Sequence, residues 1–359
     1  MEDVRHNRKV FIIDNDVTGV RYNTQWSDFV PDEVTSWGYD CEVIKGLQNP
    51  QFGKGLINNF RSEANLANNF SFLLQNGHIP NDAIFIFPNA RNPLILLINE
   101  LKYLYKTNYK FVGFWDEGMY YTYLNWKSNF YYGKYKGDYV WSLKYEKFLS
   151  SCYDYNLINN EHQLEHFNRH LNGSKAKNVR LCPNPFSSIY EYSKKQTFKK
   201  ENLIVSIARN GSEHDQFLFY NMRKILPEYD FVLAYEKKHN IIEHYRLLSK
   251  AKVILSHSAK ESNPFPIWEA MCFGCIPLIP NTKINRLLFN MDEFTFPRKI
   301  LIPPFLNYIK NRHLIFDKIK GYINLYDDYL DQVDLIKDLA YQKYFNSDGL
   351  KQILKEINE

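Results

Sequence analysis

Apolar runs of four to seven residues recur along this chain, most of them separated by stretches long enough to hold a helix. That alternation constrains the fold more than any other feature. Ten runs read as strands: KVFIID (9–14), CEVI (41–44), AIFIF (83–87), KFVGF (110–114), YNLI (155–158) and VRLC (179–182), then LIVSIA (203–208), FVLAY (231–235), KVILSHS (252–258) and CIPLIP (275–280). Between them, INNFRSEANLANNFSFLLQNG and NPLILLINELKYLY carry apolar residues at helical spacing. Short apolar runs alternating with helices imply βαβ units and a mostly parallel sheet, an α/β class.

A chain of 359 residues exceeds the size at which single cores stop growing, about 250 to 300 residues, so two domains are expected. The break falls at Pro183-Asn184-Pro185, and the polar segment SSIYEYSKKQTFKKEN after it reads as a linker. The last forty residues, from about Phe316, read as helical, with LDQVDLIKDLAYQKYF and GLKQILKEI amphipathic. Two such domains in series bind ligands at the carboxyl ends of their strands and in the cleft between them.

The apolar fraction of 45% and charged fraction of 24% exclude a disordered chain, and no run approaches 18 uncharged apolar residues. The opening MEDVRHNRKV has no apolar signal-peptide core, and the five cysteines are scattered, so a reducing, cytoplasmic setting is expected. Only Cys272 and Cys275, in CFGC, have metal-like spacing, and they lack a second ligand pair.

The net charge of +5 is unevenly placed. Residues 101–200 hold sixteen Lys or Arg against eight Asp or Glu, +8, while the rest of the chain holds 29 against 32, −3. Residues 120–147 interleave eleven aromatics with five lysines, including Tyr120, Tyr132, Lys134 and Lys136. Rings and lysines so arranged can stack on bases or sugars while following phosphates. The other reading is a β-rich subregion whose tyrosines bury their rings.

The segment KVILSHSAKESNPFPIWEAMCFGCIPLIPN, 252–281, reads as strand, loop, a short helix over 266–273 and a second strand. Pro266 suits a first helical position and Gly274 a left-handed terminator. The helix start suits a phosphate, with the amides from Asn263 to Ile267, around Pro264 and Phe265, directed at it. Glu269, inside the helix, offers two acceptor oxygens that match a ribose diol.

The order strand, S-x-x-E, N-P-F-P, then E-A-M-x-x-G-x-x-P resembles the E-x7-E signature of retaining GT-B glycosyltransferases, with Ser258, Glu261, Glu269, Ala270, Met271, Gly274 and Pro277 on the pattern. In that family a G-R pair followed five residues later by lysine contacts the donor diphosphate. Here LIVSIARNGSEHDQF has Arg209 in place, Ala208 for the glycine and His214 for the lysine. The loop DNDVTGVRYN corresponds to one that approaches the donor, with Thr18, Gly19 and Arg21. Its Asp14-Asn-Asp16 is also a D-x-D, the metal-binding signature of the other large glycosyltransferase fold. In WDEGMYYTY, after the strand KFVGF, Asp116 takes the place of the residue that orients or deprotonates the acceptor, with Trp115 and Glu117 beside it.

The resemblance implies a GT-B architecture, two Rossmann-like doubly wound domains facing a central cleft. The acceptor-side domain is expected over 1–185, with the closing helix at about 345–359 packing back on it, and the nucleotide-sugar domain over 186–344. It also implies a UDP-type sugar donor, retention of anomeric configuration, no strict need for a metal, Glu261 near the sugar hydroxyls, and Ser258, Ser262 and Asn263 lining the donor. For the acceptor, the local basicity favours hydroxymethylated bases of phage DNA, flipped out of the duplex. Polysaccharide or lipid-linked glycan acceptors, a sugar-nucleotide epimerase, and a non-enzymatic nucleic-acid-binding protein are the alternatives.

Overall fold

In a computed structural model of the chain, the residues described are all except 1–7, 15–20, 47–55, 116–135, 172–174, 197, 207–215, 235–239, 257–263, 290–291, 298–300 and 302–305. They divide into two units, Met1–Phe186 with Asn346–Glu359, and Ser187–Phe345.

Unit 1 is built on six strands: β1 (Val10–Asp14), β2 (Cys41–Lys45), β3 (Ile84–Phe87), β4 (Lys110–Phe114), β5 (Tyr155–Ile158) and β6 (Val179–Leu181). Their order is β2-β1-β3-β4-β5-β6, and every pair is parallel. The connecting helices are α1 (Arg21–Asp28), α2 (Val30–Ser36), α3 (Leu56–Gln75), α4 (Leu94–Tyr105), α5 (Lys136–Cys152) and α6 (Glu161–His170). Helices on both faces explain why β1 and β3 are apolar almost without interruption and buried throughout. Phe11 stacks on Phe85 at 5.5 Å, and Phe70 and Tyr109 meet Phe85 edge-on.

Unit 2 repeats the plan with β7 (Glu201–Ser206), β8 (Asp230–Leu233), β9 (Ala251–Leu255), β10 (Ile276–Asn281) and β11 (Thr295–Pro297), in the order β11-β10-β9-β7-β8, again parallel. Its helices are α7 (Ser187–Lys194), α8 (Gln216–Ile225), α9 (Ile241–Lys250), α10 (Phe265–Cys272), α11 (Lys283–Phe289), α12 (Leu306–Asn324) and α13 (Leu330–Ala340), followed by a π turn at Tyr341–Phe345. The last helix, α14 (Asp348–Asn358), belongs to unit 1. There Leu350, Ile353, Leu354 and Ile357 are buried, Arg180 pairs with Glu356 at 2.8 Å, and the Ser347 hydroxyl donates to Glu33.

Two expectations need correction. The segment taken as a linker after Pro185 forms α7 and the start of β7, with Ile189 and Tyr190 buried. The Tyr190 hydroxyl donates to Asp338 at 2.7 Å and its ring stacks on Tyr341 at 4.5 Å. A helix anchored by so few apolar residues leaves almost no periodic signal. The β-rich reading of 120–147 also fails where it can be checked, since 136–147 lie in α5. No described helix is long and apolar enough to cross a membrane.

Candidate functional site

In an open parallel sheet, ligands bind beyond the carboxyl ends of strands where the strand order reverses. In unit 2 that point lies between β7 and β9. The chain runs from β7 outward to β8 and returns to the other side of β7, where Val205 pairs with Ile254. The corresponding point in unit 1 lies between β1, ending at Asp14, and β3, ending at Phe87.

Most of the expected site residues lie outside the described residues: Gly19, Asp116, Glu117, Tyr120, Tyr132, Lys134, Arg209, His214, Ser258, Glu261, Ser262 and Asn263, and Asp16 as well. The backbone of Lys136 opens α5, but its side chain is not described. Pro264, Phe265, Glu269, Trp115 and Asp14 are described.

Pro264 occupies the cap position of α10 and Phe265 begins the helix. Prolines 264 and 266 have no N–H, and the Ile267 N–H donates to the Pro264 carbonyl at 2.8 Å. Of the amides expected at this helix start, that of Ile267 is therefore engaged, and Asn263 lies outside the described residues. Gly274 closes the helix at φ 75°.

α10 is buried on nearly every side, and Glu269 is its single charged residue. Its carboxylate is 0% exposed, and Oε2 lies 3.0 Å from Nε2 of His244, also 0% exposed, on α9. One turn on, the Cys272 thiol is pushed well above its ordinary value, by burial first and by the negative charge of Glu269 second. Cys275 is raised by burial too and donates weakly to the Leu248 and Ala251 carbonyls, so the CFGC thiols behave as packed groups.

Trp115, expected beside the acceptor, is enclosed within unit 1. It is 1% exposed, its ring edges against Tyr153 and Phe167, and its indole N–H donates to Asn156 Oδ1 at 2.9 Å. Asn156 in turn donates to the Ser150 and Lys177 carbonyls. Ring and donor are engaged inside unit 1, where they brace the ends of β4 and β5. Asp14 is 3% exposed and accepts from the Ser27 hydroxyl. Among the described residues, no three His, Cys, Asp or Glu side chains cluster as metal ligands.

Sequence reasoning gave no place to His244, whose contact with Glu269 spans 25 residues. It also missed the buried His162 and His166 on α6, whose Nε2 atoms face each other at 3.2 Å. Their four-residue spacing on a helix was the one available signal.

By sequence the chain matches no known protein-family profile and no curated protein. Its structure does have counterparts. Sucrose-phosphate synthase from Thermosynechococcus elongatus superposes with a TM-score of 0.60 at 10% identity, over 98% of both chains. Anabaena HepE, solved with UDP and glucose, gives 0.53 at 11% identity over 97% of this chain and 98% of its own. TarM from S. aureus, solved with UDP and α-GlcNAc-glycerol among its ligands, gives 0.52 at 14% identity over 84% of this chain and 59% of its own. With two parallel, doubly wound sheets of six and five strands and these counterparts along its length, the chain has the GT-B fold of nucleotide-sugar glycosyltransferases.

Proposed function

We propose that this protein is a retaining glycosyltransferase that moves a sugar from a nucleoside-diphosphate donor, UDP-linked, to an acceptor hydroxyl. The observation that carries this reading is the pairing of β7 with β9 at the reversal point of the unit 2 sheet. The two segments that follow these strands in the chain, 207–215 and 257–263, are the two that resemble the donor-binding motifs of E-x7-E enzymes. Counterparts of the same fold solved with UDP support the choice of nucleotide.

In this reading Arg209, His214 and the amides at the start of α10 take the diphosphate, with Ser258, Ser262 and Gly19 beside it. Glu269 accepts the ribose diol. Its full burial means that a ribose reaching this carboxylate replaces protein contacts rather than water. As the bond from the anomeric carbon to the diphosphate breaks, the electron pair leaves with the phosphate oxygen. The acceptor oxygen adds on the same face, and its proton passes to the departing phosphate or to Asp116. Fixed cations and amides at the phosphates stabilise that growing charge more than the ground state. Glu261 holds the sugar hydroxyls. No divalent ion is required for this charge balance, so activity should survive EDTA. Loss on chelation with recovery in manganese would overturn that part.

The acceptor that the charge pattern favours is hydroxymethylated DNA, because the +8 excess over 101–200 coincides with the aromatic and lysine block. The decisive experiment incubates purified protein with UDP-glucose, and with other nucleotide sugars in parallel, plus hydroxymethylcytosine DNA or a saccharide acceptor. Transfer to DNA is expected, with an affinity that falls steeply with salt. Replacing Lys134 and Lys136 by alanine should reduce the log–log salt slope by about two, since each phosphate contact contributes about 0.9. Transfer only to saccharide or lipid-linked acceptors would remove DNA, and donor turnover without transfer would point to an epimerase. Arg209→Ala should lower kcat/KM about 100-fold.

A further inference from the structure

We infer that His244 is the positioning residue of the donor site, holding the Glu269 carboxylate in the orientation that receives the ribose. The inference rests on the donor reading above and adds a residue which that reading did not contain. Seven of the eight residues of α10 are apolar, proline or cysteine, and the eighth is a glutamate with no exposed surface. Replacing a buried polar pair by apolar side chains is often neutral or stabilising, so packing alone does not account for a carboxylate here. What the pair supplies is direction. His244 Nε2 meets Glu269 Oε2 at 3.0 Å, with both side chains fully buried.

The histidine is itself held firmly. Asn240 caps α9 through a reciprocal capping box with Glu243, and the His244 N–H donates to the Asn240 carbonyl at 3.0 Å. The next residue, Tyr245, stacks on Phe273 at the far end of α10 at 4.9 Å. The first turn of α9 and the end of α10 thus fix the two backbones that carry the pair, and the imidazole fixes the carboxylate torsions. A carboxylate oriented before the ligand arrives binds a diol with less loss of side-chain freedom.

The test measures binding of UDP, with GDP, ADP and dTDP in parallel, to the full chain by titration calorimetry, together with melting temperature. His244→Leu should weaken nucleotide binding by about tenfold or more, the range of a hydrogen bond to a charged group. His244→Gln, which keeps a donor at the Nε2 position, should bind within about threefold of the parent, the usual scatter of such estimates. His244→Asn, a polar variant too short to reach Glu269, should bind more weakly than the Gln variant. The double variant His244→Leu/Glu269→Gln should bind no more weakly than the weaker single variant, because both remove one interaction. A merely structural histidine would lower the melting temperature, leave the affinity of the folded protein unchanged, and show no such coupling. If the Leu variant is not folded, the Gln and Asn pair decides. Parent-like binding in all His244 variants with weakened binding in Glu269→Gln overturns this inference and leaves the donor reading standing. Parent-like binding in Glu269→Gln, or no nucleotide bound by the parent, overturns the donor reading and this inference with it.

Discussion

Gly113 sits inside β4, and a Cβ there would lie 2.8 Å from two ring atoms of Tyr153 and 3.0 Å from the Ala90 Cβ. That ring is buried, and its hydroxyl donates to the Ala90 carbonyl at 2.9 Å, so it has nowhere to retreat. Gly113→Ala should destabilise the fold by about 1–3 kcal/mol, the usual range for overpacking, seen as a lower urea midpoint with an unchanged slope. An alanine variant as stable as the parent would show that the strand yields at no cost. Gly274 obeys a different rule. Its φ of 75° is a backbone demand, to which a Cβ would add close approaches of 3.0 Å to Lys337 Cε and 3.2 Å to Val333 Cγ1, and alanine there should lose about 1–2 kcal/mol or more. The backbone part of that second demand is legible in the sequence, because a glycine closing an apolar helix is local grammar. The first is not, because the ring that excludes a side chain comes from forty residues downstream.

At the scale of elements, Lys200 joins the ends of two helices. Its Nζ donates to the Ala251 carbonyl at the end of α9 and the Phe273 carbonyl at the end of α10, both at 2.7 Å. A cation at these carbonyl ends complements both helix dipoles. Burial lowers its pKa below the ordinary 10.5. With the folded value depressed, the unfolded chain binds more protons in the window between that value and 10.5, so this group's contribution to stability rises with pH there. Lys200→Met should cost about 1–3 kcal/mol at pH 7 by stripping the carbonyls of their donor. The gap to the parent should widen as denaturation is repeated from pH 8 to pH 10, and a gap that stays constant would contradict the shift. Sequence reading placed Lys200 in a linker, since neither carbonyl it serves is near in the chain. The strands were legible for the opposite reason. β1, β4 and β9 are buried along nearly their whole length, so each announces itself as an apolar run.

For the whole molecule, the chain leaves unit 1 at Phe186 and returns to it at Asn346, so unit 2 is an insertion in unit 1. A stop after Phe345 would strip unit 1 of buried Leu350, Ile353, Leu354 and Ile357. At about 1.5–3 kcal/mol per side chain, an upper estimate, the loss is about 6–12 kcal/mol and comparable to a domain's whole stability. Hydrogen exchange of the truncated protein should show protection lost across β1 to β6 and kept across β7 to β11. Uniform loss, or none, would contradict the division into units.

The class of the fold was legible from local hydrophobic periodicity alone, because parallel strands buried on both faces and the helices between them are written in it. The sequence also marked the start and end of α10, whose prolines and glycine act through their own backbones. Tertiary structure decided which side chains meet. It buried Trp115 against Tyr153 and Phe167, about forty and fifty residues on, and it brought His244 to Glu269 across 25 residues. Such pairings depend on strand order and helix register, which set distances between residues far apart in the chain, and no local pattern encodes them.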